Sequence, residues 1–145
     1  MKRIVLDASV ILKWFIEEED SDRAIKIRDL YVQGKIGLSL PVLVLFELGN
    51  TLLKHPSITL EDSETAFQAL LDLGMELRSF VEVELPKSAF KISREFDITF
   101  YDAAYVVLSK LYGTKFITAD RRLYDKIKDA FDVLLLRNIE PESLL

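Results

Sequence analysis

The chain has 145 residues, half of them hydrophobic and 30% charged, with a net charge of −5. That is the length of one domain and the composition of a folded, soluble chain, which excludes intrinsic disorder. With no cysteine and one histidine, His55, disulfides, thiolate nucleophiles, cysteine-held zinc and a two-histidine mechanism within one chain are excluded, and the acidic balance argues against coating nucleic acid through bulk charge.

The first strand-like run, Arg3-Ile4-Val5-Leu6, ends at Asp7-Ala8-Ser9, and Val10, Ile11, Trp14 and Phe15 follow at helical spacing. Glu17 to Asp20 break the apolar pattern and read as a solvated bend. A helix with Ala24, Ile27 and Tyr31 on one face runs to about Gln33. Gly34 and Gly37 bracket a turn leading into a strand, Ile36 to Leu40. Pro41 is expected as the first residue of a helix with an apolar stripe of Val42, Leu45, Phe46, Gly49 and Leu53. After the break at His55-Pro56-Ser57, with His55 a loop residue, Thr59 to Asp62 resemble a helix start. Leu60, Ser63, Phe67, Leu70 and Leu71 then face one way until Gly74. Val81, Val83 and Leu85 alternate with Glu82 and Glu84, as on an edge strand. Pro86 opens a helix carrying Ala89, Phe90, Ile92, Ser93 and Phe96. Thr99 to Tyr112 form the clearest helix, with Ala104, Val107, Leu108 and Leu111 in step and Gly113 ending it. A strand, Lys115 to Thr118, a helix, Asp120 to Phe131, and a last strand, Val133 to Leu136, complete the chain.

Alternating strands and helices predict a three-layer α/β/α sandwich with a mostly parallel central sheet, spanning 1–145 as a single domain. The longest apolar runs, such as Leu38 to Phe46, fall far below the ~18 residues of a membrane span. Met1-Lys2-Arg3 leads at once into a strand and not into a signal sequence. The expected location is the cytoplasm, with no membrane association.

In such sheets ligands sit outside the carboxyl ends of the strands. Asp7 and Asp120 each directly follow a strand, although each also suits the N-cap of the following helix. Glu47 stands between Phe46 and Leu48 in a largely apolar helix, either on a solvent-facing stripe or at an opening. Asp102 follows Thr99 at the spacing of a capping arrangement and is favoured there by the helix dipole. Each acid thus has a structural explanation alone, and their conjunction carries the functional one.

The blocks Val5-Leu6-Asp7-Ala8-Ser9-Val10, Phe46-Glu47-Leu48-Gly49-Asn50, Thr99-Phe100-Tyr101-Asp102-Ala103-Ala104-Tyr105 and Thr118-Ala119-Asp120-Arg121-Arg122-Leu123 together resemble the PIN-domain family, and within it the VapC-like toxins of toxin–antitoxin pairs. The resemblance runs from Ile4 to nearly the C-terminus. It implies a metal-dependent endoribonuclease, the toxin of a type II pair, with a Mg²⁺ or Mn²⁺ site made from Asp7, Glu47, Asp102 and Asp120. Ser9, Asn50, Thr99 and Thr118 match supporting or water-orienting polar positions; Asp97 has no counterpart. RNA as substrate, a cognate antitoxin and a homodimer are the implied partners. The apolar hairpin ending at Gly74 also predicts a homodimer. The physics agrees, because crowded carboxylates raise one another's pKa and a hard cation with oxygen ligands reverses that cost.

Lys13, Lys110, Lys115, Arg121 and Arg122 are candidates for gripping an RNA backbone, whereas Trp14, Phe15, Phe46 and Tyr105 read as core. The alternatives are a non-catalytic PIN-like RNA- or partner-binding domain, and a receiver- or phosphatase-like acidic pocket. The last is disfavoured because Leu6 precedes Asp7, Ser9 stands two residues after it, and Asn138 and Glu140 occupy the final loop.

Overall fold

Five strands build one sheet in which every pairing is parallel: β1 (Lys2–Leu6), β2 (Ile36–Pro41), β3 (Glu76–Arg78), β4 (Lys115–Thr118) and β5 (Val133–Leu135). The computed structural model describes residues 1–79, 81 and 85–145. Among these, seven α-helices connect the strands: α1 (Ala8–Ile11), α2 (Ser21–Val32), α3 (Leu43–Lys54), α4 (Leu60–Asp72), α5 (Leu85–Phe96), α6 (Phe100–Tyr112) and α7 (Arg121–Ile127). Ile4, Val5 and Leu6 are consecutive and all buried, as are all six residues of β2. Side chains alternate across a strand, so unbroken burial means that both sheet faces are covered, as an α/β/α sandwich requires.

The strand order is β3-β2-β1-β4-β5. The chain winds outward from β1 through β2 to β3, then returns on the other side of β1 to form β4. That reversal opens a crevice at the carboxyl ends of β1 and β4, where open α/β sheets bind ligands. Register brings Val5 opposite Phe116 and Leu6 opposite Ile117, so the residues following each strand emerge side by side.

Several expected elements shift. Pro41 closes β2, paired with Arg78, and does not open a helix; a proline needs no donor at that terminal position, and the Val42 N–H bonds the Arg78 carbonyl at 3.0 Å instead. The stripe expected on α3 is rotated. Val44, Leu48 and Leu52 are its buried face, whereas Phe46 is 72% and Leu53 69% exposed. A helix apolar nearly all round leaves its phase open, and packing chose the other face. Phe46 is accordingly not core. On α4 only Leu70 is buried, while Leu60 and Leu71 are exposed. On α6 burial runs without a break from Ala103 to Ser109, and Leu111 is exposed. The strand β3 was not foreseen. The alternation expected over 81–85 lies mostly outside the described residues, and Leu85 begins α5. α7 stops at Ile127, before the expected Phe131.

Other features match. Thr59 caps α4 in a reciprocal capping box with Asp62. Trp14 is buried, with Nε1 donating to the Ala24 carbonyl at 2.8 Å. His55 ends α3, its Nδ1 accepting from the Ser57 N–H. The bend at residues 17–20 is held by ion pairs of Lys13 with Glu18 and of Arg137 with Glu19 and Asp20.

Candidate active site

Asp7 leaves β1 and at once caps α1, so it is fixed by two elements. Its carbonyl accepts from Val10 and Ile11. Its Oδ1 accepts from the Ser9 N–H at 3.0 Å and from the Ser9 hydroxyl; its Oδ2 accepts from Thr118 Oγ1 at 2.5 Å. Both hydroxyls are themselves held by the chain leaving β4. The Ala119 N–H donates to Ser9 Oγ at 2.9 Å, and the Asp120 N–H to Thr118 Oγ1 at 3.0 Å. Of a carboxylate's roughly four lone-pair positions, these bonds fill all but one, which lies on Oδ2. Burial pushes the Asp7 carboxyl up to about 7; the Ser9 and Thr118 hydrogen bonds work against that rise, and the charge of Asp102 adds to it.

Asp120 caps α7, its Oδ1 accepting from the N–H groups of Arg122 and Leu123 at 2.9 and 3.1 Å, which leaves Oδ2 outside the cap. The capping explanation of Asp7 and Asp120 is therefore correct, and it orients both carboxylates without using them up. Asp102 is different. Thr99 is the cap of α6, accepting from the Asp102 N–H at 3.0 Å, and the half-buried Asp102 carboxylate is spared that work. Burial raises its pKa and the charge of Asp120 adds to the rise, while a hydrogen bond with the Thr99 side chain and the charge of Lys126 oppose it. Glu47, half-buried on α3, is raised by burial and then by Asp102, while its hydrogen bond from Tyr105 Oη, 2.6 Å long, acts the other way.

Asp102 thus lies in the electrostatic reach of Asp7, Glu47 and Asp120. A cavity of about 230 Å³ opens beside it, lined among others by Thr99, Asp120, Arg122 and Lys126. Among the described residues, no three acids or histidines stand close enough together to enclose an ion. The donor chemistry nevertheless fits a hard cation: the four acids offer carboxylate oxygens, and three of them hold protons more tightly than usual, first because they are buried and then because of one another's charge. Asn50, one turn beyond Glu47, is exposed, and no hydrogen bond among the described residues ties it to the acids.

The structure divides the candidate cations. Arg122 lines the acidic cavity, and Lys13 and Arg121 line a smaller one next to Ala119, together with Arg137. Lys115 begins β4 and Lys110 lies in the last turn of α6, both toward the opposite end of the sheet, so neither flanks the acids. Sequence reasoning missed Lys126 and the hydroxyl of Tyr105. Tyr105 had a usable signal, since it follows Asp102 by three residues on the same helix face.

Residues 4–129 match the PIN domain family. Ribonuclease VapC3 of Pyrobaculum aerophilum is 33% identical over 129 residues, covering 86% of this chain and 94% of its own. Among solved structures, PAE2754 from Pyrobaculum aerophilum superposes with a TM-score of 0.70 at 20% identity, covering 99% of this chain and 89% of that one. The toxin–antitoxin complex from Klebsiella pneumoniae gives 0.68 at 11% identity, with 94% and 99% covered. The structural likenesses fix the fold; the sequence match, spanning all four acids, fixes the family. This chain belongs to the PIN-domain family, among its VapC-type members.

Proposed function

We propose that the protein is a metal-dependent endoribonuclease, the toxin of a type II toxin–antitoxin pair, acting on RNA in the cytoplasm. The observation that supports this reading is that Asp102, which shares a cavity with Asp120, also acts electrostatically on Asp7 and Glu47, so that acids from four separate elements influence one another. The name of the curated relative, a ribonuclease, supports RNA as the substrate. No helix among the described residues is long and apolar enough to cross a membrane.

Asp7, Glu47, Asp102 and Asp120 are assigned as the residues that hold Mg²⁺ or Mn²⁺. The ion, when bound, supplies the Lewis acidity that activates water at neutral pH and offsets charge on the phosphoryl oxygens. Ser9 and Thr118 hold Asp7 so that its one remaining acceptor position stays fixed. Thr99 aligns the first turn of α6 beneath Asp102. Asn50 is assigned to orienting solvent or substrate from its exposed place one turn beyond Glu47. Arg122 and Lys126 line the cavity beside Asp102 and are assigned to countering the charge of the RNA backbone there.

Two associations complete the reading. The exposed apolar side of α3 and α4, with Phe46, Leu53 and Leu60, supports a homodimer. An antitoxin segment placing a basic residue among the four acids would replace the cation's charge; the solved toxin–antitoxin complex of the same fold supports such a partner. The deciding experiment incubates the pure protein with a panel of single-stranded, transfer and ribosomal RNA fragments in Mg²⁺, Mn²⁺ or EDTA. Cleavage at internal positions, abolished by EDTA, is the expected result. An intact panel in both metals, at micromolar protein, overturns the catalytic reading in favour of an RNA- or partner-binding domain.

A further inference from the structure

Asp7 and Asp120 are held to the neighbouring backbone as helix caps, and Asp102 stands in the first turn of α6 behind its cap Thr99. Glu47 projects from the middle of α3 on a longer side chain, and among the described residues no lysine or arginine pairs with it. What it does have is Tyr105. This ring is fully buried, lies nearly parallel to Phe116 (interplanar angle 8°, centroids 6.0 Å apart), and directs its hydroxyl at Glu47 Oε1 from 2.6 Å. Phe116 belongs to β4, the strand that also carries Thr118.

We infer that Tyr105 is the positioning residue for Glu47, an inference that rests on the metal site proposed above. Two features set the phenol apart from an ordinary core tyrosine. It is rigid, because complete burial and the stack on Phe116 leave the ring one orientation, so its hydroxyl is a fixed point in the site. It also stands one turn from Asp102 on α6, so one helix presents both an acid and the donor that holds a second acid from α3. The two carboxylates on which a shared cation depends are thereby set at a spacing fixed by α6. Tyr105 plays for Glu47 the part that Ser9 and Thr118 play for Asp7, through a longer arm.

The test is a double-mutant cycle on the full chain with Tyr105→Phe and Glu47→Gln, read by Mn²⁺ titration calorimetry and by melting in EDTA. Phenylalanine keeps the ring stack, so the metal-free melting temperature should move by less than about 4 °C. Mn²⁺ affinity should fall about tenfold, the usual effect of removing a group that orients a ligand. In the Glu47→Gln background, where the orientation of an acid no longer matters, the same tyrosine change should have no further effect on Mn²⁺ affinity. An equal loss in both backgrounds, an unaltered affinity in the wild-type background, or collapse of the fold on losing the hydroxyl alone would each overturn the assignment. Wild-type protein that takes up no Mn²⁺ would instead remove the metal site and this inference together; the wild-type titration therefore separates the two failures.

Discussion

Thr118 Oγ1 donates to Asp7 Oδ2 at 2.5 Å and accepts from the Asp120 N–H at 3.0 Å, so one buried hydroxyl joins the acid after β1 to the acid after β4. Thr118→Val keeps the shape and removes both bonds. The hydroxyl holds the Asp7 pKa down, so its loss raises that pKa further and strands a partly buried N–H. The expected outcome is a loss of roughly 1–3 kcal/mol in stability, with the acid limb of the cleavage pH profile displaced upward. Denaturant melts and a pH–rate series measure both; an unmoved acid limb would show that Thr118 does not tune Asp7.

The metal-free protein should weaken as pH rises from mildly acid to mildly alkaline. Asp7 has a folded-state pKa of about 7 against an ordinary 3.8. Its protonated form is therefore favoured by folding. That contribution is complete below the unfolded value and is lost as pH rises through the folded one. Glu47 and Asp102, also raised, add with the same sign, whereas Glu76, lowered by its hydrogen bonds and cations against its burial, matters only in stronger acid. Melting in EDTA at about pH 5.5 and about pH 8 should show the fall, and Asp7→Asn should flatten it. A wild type equally stable at both values would contradict the raised carboxyls.

Asp102→Asn separates a site acid from a helix-favoured one. Because Thr99 does the capping, asparagine at 102 costs no cap, and removing one like charge should leave the metal-free melting temperature unchanged or raised. The stabilisation conferred by millimolar Mn²⁺ should shrink, since a ligand bound only by the folded state stabilises through its affinity. RNA cleavage should fall by orders of magnitude. A uniform small loss of stability, with intact cleavage and Mn²⁺ response, would return Asp102 to a structural role.

Lys126 should have opposite effects on the ion and on the RNA. It lowers the Asp102 pKa, lines the acidic cavity, and donates to the carbonyl of Asp97, whose φ of 53° is left-handed. As a cation beside the acids it competes with a metal; as a cation lining the cavity it attracts phosphate. Lys126→Met should therefore tighten Mn²⁺ binding a few-fold and raise the KM for RNA, more so at low salt. If both affinities move the same way, the residue is acting through the fold.

The exposed side of α3 and α4 should hold two copies together. Leu53→Glu or Phe46→Glu places a charge where the wild type has a bare apolar residue. Light scattering at tens of micromolar should give a dimer for the wild type and a monomer for either variant, with the metal-free fold unchanged. A monomeric wild type would leave that face to another protein.

How much of this was readable from residues alone follows from locality. Asp7 and Asp120 were legible because a strand ending in an acid aims that acid at the sheet edge, and the same local geometry makes it a cap. The parallel sheet was legible from alternation. The phase of α3 was not, because Phe46 and Leu53 are as apolar as Leu48 and Leu52, and only the neighbours decide which face is covered. β3 was hidden for a similar reason: Glu76-Leu77-Arg78 has no sustained apolar pattern and is a strand because β2 offers it an edge. Tyr105 was read as core, which it is; that its one polar atom reaches Glu47, 58 residues away, is a tertiary fact.

The hydroxyl bridging Asp7 to Asp120 also bears on when the site comes into being. Asp7 and the hydroxyl that secures it stand 111 positions apart in the chain. The strand carrying that hydroxyl pairs directly with β1 and brings the fourth acid with it. A nascent chain interrupted after Gly113 thus holds three of the acids but neither the bond that orients the first nor the strand that completes the crevice. A site closed by so distant a bond comes into being only with the docking of β4 on β1, and therefore with the global fold and not with any local segment.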